Sequence, residues 1–378
     1  MSKILIKRAR ELGVPFDGDP GLHNAITDVA GVEVGFSTLV NEKGARTGVT
    51  AIFPRGRLAA SGVAAATFAF NGTGELTGAH HIREFGGFFG PVLLTGTLSV
   101  GLVSDAYLKW VAKNVSDENL RFSRILPVVA ETWDGNLNDS WGFHLRPEHV
   151  ENALDCASSG PMKEGNIGGG TGMVCHGFKG GTGTASRVFA HLSEHYNVGV
   201  LVQANYGQRE DLMIAGVPVG RLIKGFMPEL PESEAQVVDG SIIVVVATDA
   251  PLEAAQLERV AKRATIGLAR VGGFGGSLSG DIFLAFSTAN ELKLEQPELQ
   301  QKLTLPNDQL DNLFHATAWA TEEAIVNALV AAETTTGMDG LRIHAIPHDQ
   351  LSQLMRASTG LRAPALHIPS NTHHENSS

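Results

Sequence analysis

The seven residues from Ser241 to Ala247 read Ser-Ile-Ile-Val-Val-Val-Ala, an apolar run without polar alternation that fits a strand buried among other elements. It starts abruptly. The stretch before it, Met227 to Gln236 (MPELPESEAQ), carries two Pro and three Glu and reads as a solvated linker. That linker runs through Val237-Val238-Asp239-Gly240 into Ser241 with no turn residue between Gly240 and the strand.

Around this run, strand-type and helix-type segments alternate. Thr27–Val40, Gly48–Phe53, Gly62–Phe70, Pro91–Thr95, Arg124–Ala130, Asn197–Asn205, Asp281–Phe286 and Leu341–Ile346 read as strands. Leu76–Phe85, Ser99–Asn114, 147–158, Asn307–Ala332 and His348–Ser358 read as helices from their three- and four-residue apolar spacing. Pro251–Val271 reads as a helix with Asp249 as its cap and Leu257, Val260, Ala261, Ala264 and Leu268 on one face. Gly165–Gly183 holds too much Gly for either regular element and reads as loop or irregular strand. The class is therefore mixed α/β, and length alone leaves the domain count open.

Composition removes several functions. Lys plus Arg number 29 against 40 Asp plus Glu, a net charge of −11 with no basic block, so a nucleic-acid partner is not expected. The 43% apolar fraction supports a large ordered core. Met1–Gly13 lacks an apolar signal-peptide centre, and Ile242–Ala247 falls far short of the ~20 residues that cross a bilayer. With only Cys156 and Cys175, a soluble cytoplasmic protein away from membranes is the expectation.

The Gly240–Ser241 junction has two readings. In one, Gly240 merely ends a loop and Ser241 begins a strand. In the other, the chain cuts itself there. Gly lacks a Cβ, so the next residue's hydroxyl reaches its carbonyl at low steric cost. Attack of Ser241 Oγ on Gly240 would give an ester, and water would release residues 1–240 and 241–378. The new α-amine, with an ordinary pKa of about 7.7–8.0, could then serve as base for its own hydroxyl.

Several motifs in order give this junction a context: Asn71-Gly-Thr-Gly-Glu75 with Thr77-Gly78, Glu131-Thr-Trp133-Asp-Gly-Asn-Leu-Asn-Asp139, Gly165–Gly183, and Gln203-Ala-Asn205-Tyr-Gly207. Asp239-Gly240-Ser241, Ala247-Thr-Asp249-Ala-Pro251-Leu252 and Ser279-Gly280-Asp281 follow. From about residue 10 to 360 the chain resembles the self-processing serine aminopeptidases, which include the L-aminopeptidase/D-alanine esterase-amidases and the β-peptidyl aminopeptidases.

The resemblance implies a four-layer αββα sandwich of the N-terminal-nucleophile hydrolase kind. It implies one domain over 1–360, cleaved into 1–240 and 241–378, with 361–378 as a loose polar tail. It makes Ser241 the processing residue and nucleophile, Asn205 the oxyanion donor, and Ser279 and Asp281 the pair that bonds the nucleophile's amine and hydroxyl. Asp281 departs from the Glu of the family pattern and is one methylene shorter. Glu131 would hold the substrate's ammonium and Trp133 would wall the side-chain pocket. The expected substrates are short peptides, amides or esters, and the expected assembly is a tetramer of cleaved units.

Other signals point elsewhere and are weaker. The Gly168–Gly172 and Gly180–Gly183 clusters lack the Lys-Ser/Thr of a phosphate loop, so no nucleotide cofactor is expected. Gly276–Gly280 has Leu278 where an esterase elbow needs Ser. His80-His81 and His373-His374 make no metal pattern. An acyltransferase of the ornithine acetyltransferase type stays open, although those enzymes resemble this chain with Thr in place of Ser241. So does a non-catalytic ligand-binding sandwich.

Overall fold

Two sheets stack face to face, and each carries helices on its outer side. The computed structural model describes residues 7–57, 59, 61–115, 125–229, 240–293, 298–358 and 365–367. The first sheet has the order β1-β2-β5-β6, formed by Glu33–Val40, Arg46–Phe53, Val92–Gly96 and Val128–Thr132. The second has the order β4-β3-β12-β11-β10-β9, formed by Gly87–Phe88, Gly62–Gly72, Gly280–Leu292, Ile242–Thr248, Glu194–Ala204 and Gly181–His191. Hairpin strands β7 (Val174–Cys175) and β8 (Phe178–Lys179), and β13 (Thr335–Thr336) with β14 (Arg342–Ile343), stand apart.

The uninterrupted apolar run explains the layering. Side chains alternate across a strand, and along β11 Ile242, Val244 and Val246 enter one core while Ile243, Val245 and Ala247 enter another. The first core lies under α4 (Ala254–Arg270) and α5 (Asp311–Val330). The second fills the space between the sheets, where Val92, Leu94, Val128 and Ala130 come from the opposite side. Leu93 and Val129 point outward into a third core with Val103, Trp110, Val150 and Leu154 of α2 (Val100–Asn114) and α3 (Pro147–Asp155). Helix, sheet, sheet, helix follow in that order, so the chain has the αββα architecture.

β11 and β12 are neighbours and parallel, with Ile242 beside Asp281. Parallel neighbours need a crossover, and α4 supplies it. This connection brings the start of β11 and the start of β12, distant in sequence, to the same end of the sheet.

Several boundaries shift. The helix expected from Pro251 begins at Ala254, and its N-cap is Glu253, whose backbone N–H donates to Gln256 Oε1 at 3.1 Å. Asp249 is no cap: it accepts from the Asn197 backbone and side chain at 2.7 and 3.0 Å, tying β10 to the end of β11. Within Gly165–Gly183, a 3-10 turn at Gly168–Gly172 and the short hairpin precede β9. The strand expected over Leu341–Ile346 contracts to the two residues of β14. Two further helices are α1 (Ala79–Phe85) and α6 (His348–Ser358). Linker residues 230–236, Asp239, Arg124 and most of the tail lie outside the described residues. Within that tail, Leu366 donates its N–H to Asp17 Oδ1 at 3.0 Å, and its carbonyl accepts from Gly18 N at 2.8 Å.

Candidate active site

Ser241 stands immediately before β11, flanked by the end of β10 and the beginning of β12. On one side Asn205 donates its backbone N–H to the Ser241 carbonyl at 3.1 Å, continuing the β10–β11 ladder by one residue. On the other, the backbone N–H of Gly280 donates to Ser241 Oγ at 2.8 Å. The hydroxyl is thereby held at the mouth of the sheet by a main-chain group with little freedom to move.

Ser279 and Asp281 meet at this point. Their spacing of two puts both side chains on the same side of the strand, and Ser279 Oγ lies 2.6 Å from Asp281 Oδ1. The same hydroxyl donates to the Gly240 carbonyl at 2.7 Å. A hydroxyl has one proton. That proton can serve either acceptor, the Gly240 carbonyl or Asp281 Oδ1, but one at a time. The three groups thus form a line, carboxylate, hydroxyl and Gly240 carbonyl, in which the hydroxyl can polarise the Gly240 C=O.

Asn205 closes the opposite wall. Its Oδ1 accepts from Val174 N at 2.8 Å, and its Nδ2 donates to the Trp133 carbonyl at 2.9 Å, which fixes the amide's orientation. One N–H of that amide remains to point elsewhere. A Cβ placed on Gly240 would sit 2.2 Å from Asn205 Nδ2 and 2.1 Å from the Asn205 carbonyl. Only Gly fits against the amide.

Glu131 is no solvated loop carboxylate. It occupies β6 at 4% exposure, with the Glu75 backbone N–H donating to Oε1 at 3.0 Å and Thr97 Oγ1 donating to Oε2. Burial pushes its carboxyl above the ordinary range, partly offset by those two hydrogen bonds. It also lies close to Gly280, whose N–H holds Ser241 Oγ. A Cβ on Gly74 would be 3.3 Å from Glu131 Oε1 and 3.2 Å from the Cα of Gly280. Trp133 is half-buried, its indole lying over Gly135, where a Cβ would meet Cζ2 at 2.2 Å.

Gln203 links this end of the two sheets. It reaches from β10 to donate to the Thr95 carbonyl at 3.0 Å and to Thr132 Oγ1 at 2.8 Å, next to Glu131. Every residue expected from sequence therefore borders one location. Sequence reasoning missed Thr97, which belongs to no motif, and the Gly280 N–H, which a side-chain reading does not see. His80 and His81 lie on α1, with the His81 ring tilted against Phe85 at 4.5 Å. Among the described residues no group of His, Cys, Asp and Glu could hold a metal ion. No described helix is long and apolar enough to cross a membrane.

A serine hydroxyl on a rigid main-chain donor, an amide beside the preceding glycine carbonyl and an αββα scaffold define a serine-type hydrolase of the N-terminal-nucleophile fold. The profile of peptidase family S58 matches residues 24–343, and the chain belongs to that family. The chain is 50% identical over 367 residues to the β-peptidyl aminopeptidase BapA of Sphingosinicella xenopeptidilytica, covering 93% of this chain and 91% of that one. The solved L-aminopeptidase D-Ala-esterase/amidase of Ochrobactrum anthropi, a prototype of the serine aminopeptidases, superposes with a TM-score of 0.87 at 45% identity, covering 94% and 99%. A Burkholderia sp. β-aminopeptidase gives 0.86 at 44% identity, covering 95% and 100%. This chain is accordingly an aminopeptidase of the serine type.

Proposed function

We propose that the protein is a self-processing aminopeptidase that cuts its own Gly240–Ser241 bond and then uses Ser241 to release N-terminal residues from short peptides, amides and esters. The observation that carries this reading is the meeting of Ser241 Oγ, the Gly240 carbonyl, Ser279 and Asn205 at one strand end. Oγ adds to the Gly240 carbonyl carbon, the C–N bond breaks, and the proton lost by the hydroxyl goes to the departing amine. Water then hydrolyses the ester, leaving a carboxylate on Gly240 and a free α-amine on Ser241. One domain becomes two interlocked fragments.

In the mature enzyme that amine takes the hydroxyl proton as Oγ attacks the substrate's acyl carbon. The uncommitted N–H of Asn205 donates to the developing oxyanion, an interaction typically worth about 2.7–4 kcal/mol. Ser279 and Asp281 orient the amine. Glu131 holds the substrate's ammonium, which restricts the enzyme to free amino termini. Trp133 borders the side chain of the acyl residue. The amine returns its proton to the leaving group, and water completes the turnover.

The relatives named for β-peptides support acceptance of β-residues at the amino end. The family resemblance supports a tetramer of cleaved units, and the low Cys content supports a cytoplasmic location. The test is mass spectrometry of purified protein with Ser241→Ala alongside. Wild type gives two fragments and hydrolyses aminoacyl p-nitroanilides, and the variant gives one chain and no turnover. Turnover by an uncut chain overturns the mechanism.

A further inference from the structure

Among the described residues, the loop that leads into Ser279 carries two strongly exposed apolar side chains, Phe274 at 77% and Leu278 at 66%. Beside them Phe70 is 40% exposed. Isolated exposed apolar residues are ordinary, whereas a cluster at a reaction centre asks for a ligand.

This cluster is built. In the β3–β12 ladder Asp281 pairs with Asn71 and Ile282 with Ala69, so Phe70 is the extra residue of a bulge located at the proposed catalytic carboxylate. Bulges beside active sites re-aim a side chain, and this one turns Phe70 out of the core. Gly275, at φ +66°, passes beneath the ring: a Cβ there would meet Phe70 Cε1 at 2.7 Å and lie 3.4 Å from Asp281 Oδ2. The loop is then pinned from β3 and the residue after it. Asn71 Nδ2 donates to the Gly276 carbonyl, and Thr73 Oγ1 donates to the Ser277 carbonyl at 3.3 Å. Ser279 N closes a turn onto Gly276 O at 2.8 Å.

The position relative to Ser241 decides which part of a substrate meets these residues. In processing, Gly240 is the acyl group: its carbonyl oxygen meets Ser279, while its side-chain position faces Asn205 on the β10 side. The loop lies on the opposite, β12 side, where Leu278 is joined to Ser279. We propose that Phe70, Phe274 and Leu278 form an apolar shelf for the leaving group, selecting peptides whose second residue is large and apolar. This rests on the aminopeptidase reading above and deepens it.

The test keeps the acyl residue constant, alanyl or β-alanyl, and varies the leaving group among leucinamide, serinamide and ammonia. Wild type should prefer leucinamide over serinamide by about tenfold in kcat/KM, the scale of one apolar contact surface, with the difference in KM. In the double variant Phe274→Ser/Leu278→Ser, whose side chains are exposed, that preference should vanish while simple-amide turnover stays unchanged. A preference that survives, is absent in wild type, or follows the acyl residue overturns the shelf. A double variant that changes oligomeric state by light scattering, losing all three substrates equally, also overturns it by making this face a contact between copies. Failure of wild type on every substrate would sink the aminopeptidase reading itself; turnover without leaving-group preference sinks the shelf alone.

Discussion

Ser279 Oγ lies 2.7 Å from the carbonyl oxygen of Gly240, a residue 39 positions earlier and on the other side of the proposed cleavage point. The contact polarises a peptide carbonyl whose own residue has no Cβ to block the neighbouring Ser241 hydroxyl. Ser279→Ala should slow the appearance of the fragments by about 10²–10³-fold, the usual cost of one oxyanion donor. Fragment formation after a synthesis pulse, followed on denaturing gels, measures it. Wild-type kinetics in the variant would remove Ser279 from the step.

Ser241→Ala should leave one chain of 378 residues where wild type gives 240 and 378 − 240 = 138. Substrate hydrolysis should fall to background in the same preparation. Intact mass and aminoacyl p-nitroanilide turnover, read together, check both halves.

Burial raises the Glu131 carboxyl above its ordinary range. A substrate ammonium is held only by the ionised form, so kcat/KM should rise as pH increases through that raised value, with the change carried by KM. Glu131→Gln should lower kcat/KM by on the order of 100-fold, the lower end of losing one partner of a buried charge pair, and should abolish that acid limb. Processing should continue in the variant, since no substrate ammonium takes part in it. An unchanged kcat/KM would remove the assigned role.

The two proposed fragments share one sheet: β3 and β10 come from the first, β11 and β12 from the second. They also share a buried ion cluster, in which Arg187 of the first reaches Glu323 of the second at 2.7 Å and Arg10 reaches the same carboxylate at 2.7 Å. Burial pushes the Glu323 carboxyl up, but Arg187 and Arg10 outweigh it and hold the group below its usual range. Cleaved protein should therefore elute as one particle. Arg187→Met should cost about 1.5–3 kcal/mol by taking one of two cations from the carboxylate, which keeps Arg10, and Arg187→Met/Glu323→Leu should recover part of it. Urea unfolding of the three proteins decides, and an additive double variant would refute the coupling.

Lys179, fully buried in β8, donates to the Gly180 carbonyl at 2.9 Å, and burial drives its ammonium down to about 7. Its unfolded value is the ordinary 10.5. Between those two values the unfolded chain binds a proton that the folded chain does not, so stability climbs with pH across that window, and below about 7 the full penalty of the buried charge persists. Lys179→Met should flatten this slope, reducing the gain from pH 7 to 9 by about 2 kcal/mol relative to wild type. Denaturant midpoints at the two pH values test it, and parallel slopes would show that Lys179 does not titrate there.

Local signals carried much of this molecule. The apolar run of β11, the spacing that marks α2, α4 and α5, and the Gly240–Ser241 junction are properties of consecutive residues, readable because burial imposes a period on the chain. The family motifs mark Ser241, Asn205, Ser279, Asp281 and Glu131 in the sequence alone. What consecutive residues do not encode is which groups arrive opposite one another. Thr97 meets Glu131 only because β5 and β6 pair in parallel. The Gly280 N–H reaches Ser241 Oγ only because α4 carries the chain over to lay β12 beside β11. Asp249 left the helix cap expected of it because Asn197, brought alongside by the β10–β11 register, offered two donors where the helix end offered other partners. Phe70 faces outward because a one-residue slip between β3 and β12 outweighs the strand's own alternation. Burial along one segment is decided by its own side chains, whereas contact between segments is decided by the packing of the whole, and the chemistry of this site is made of such contacts.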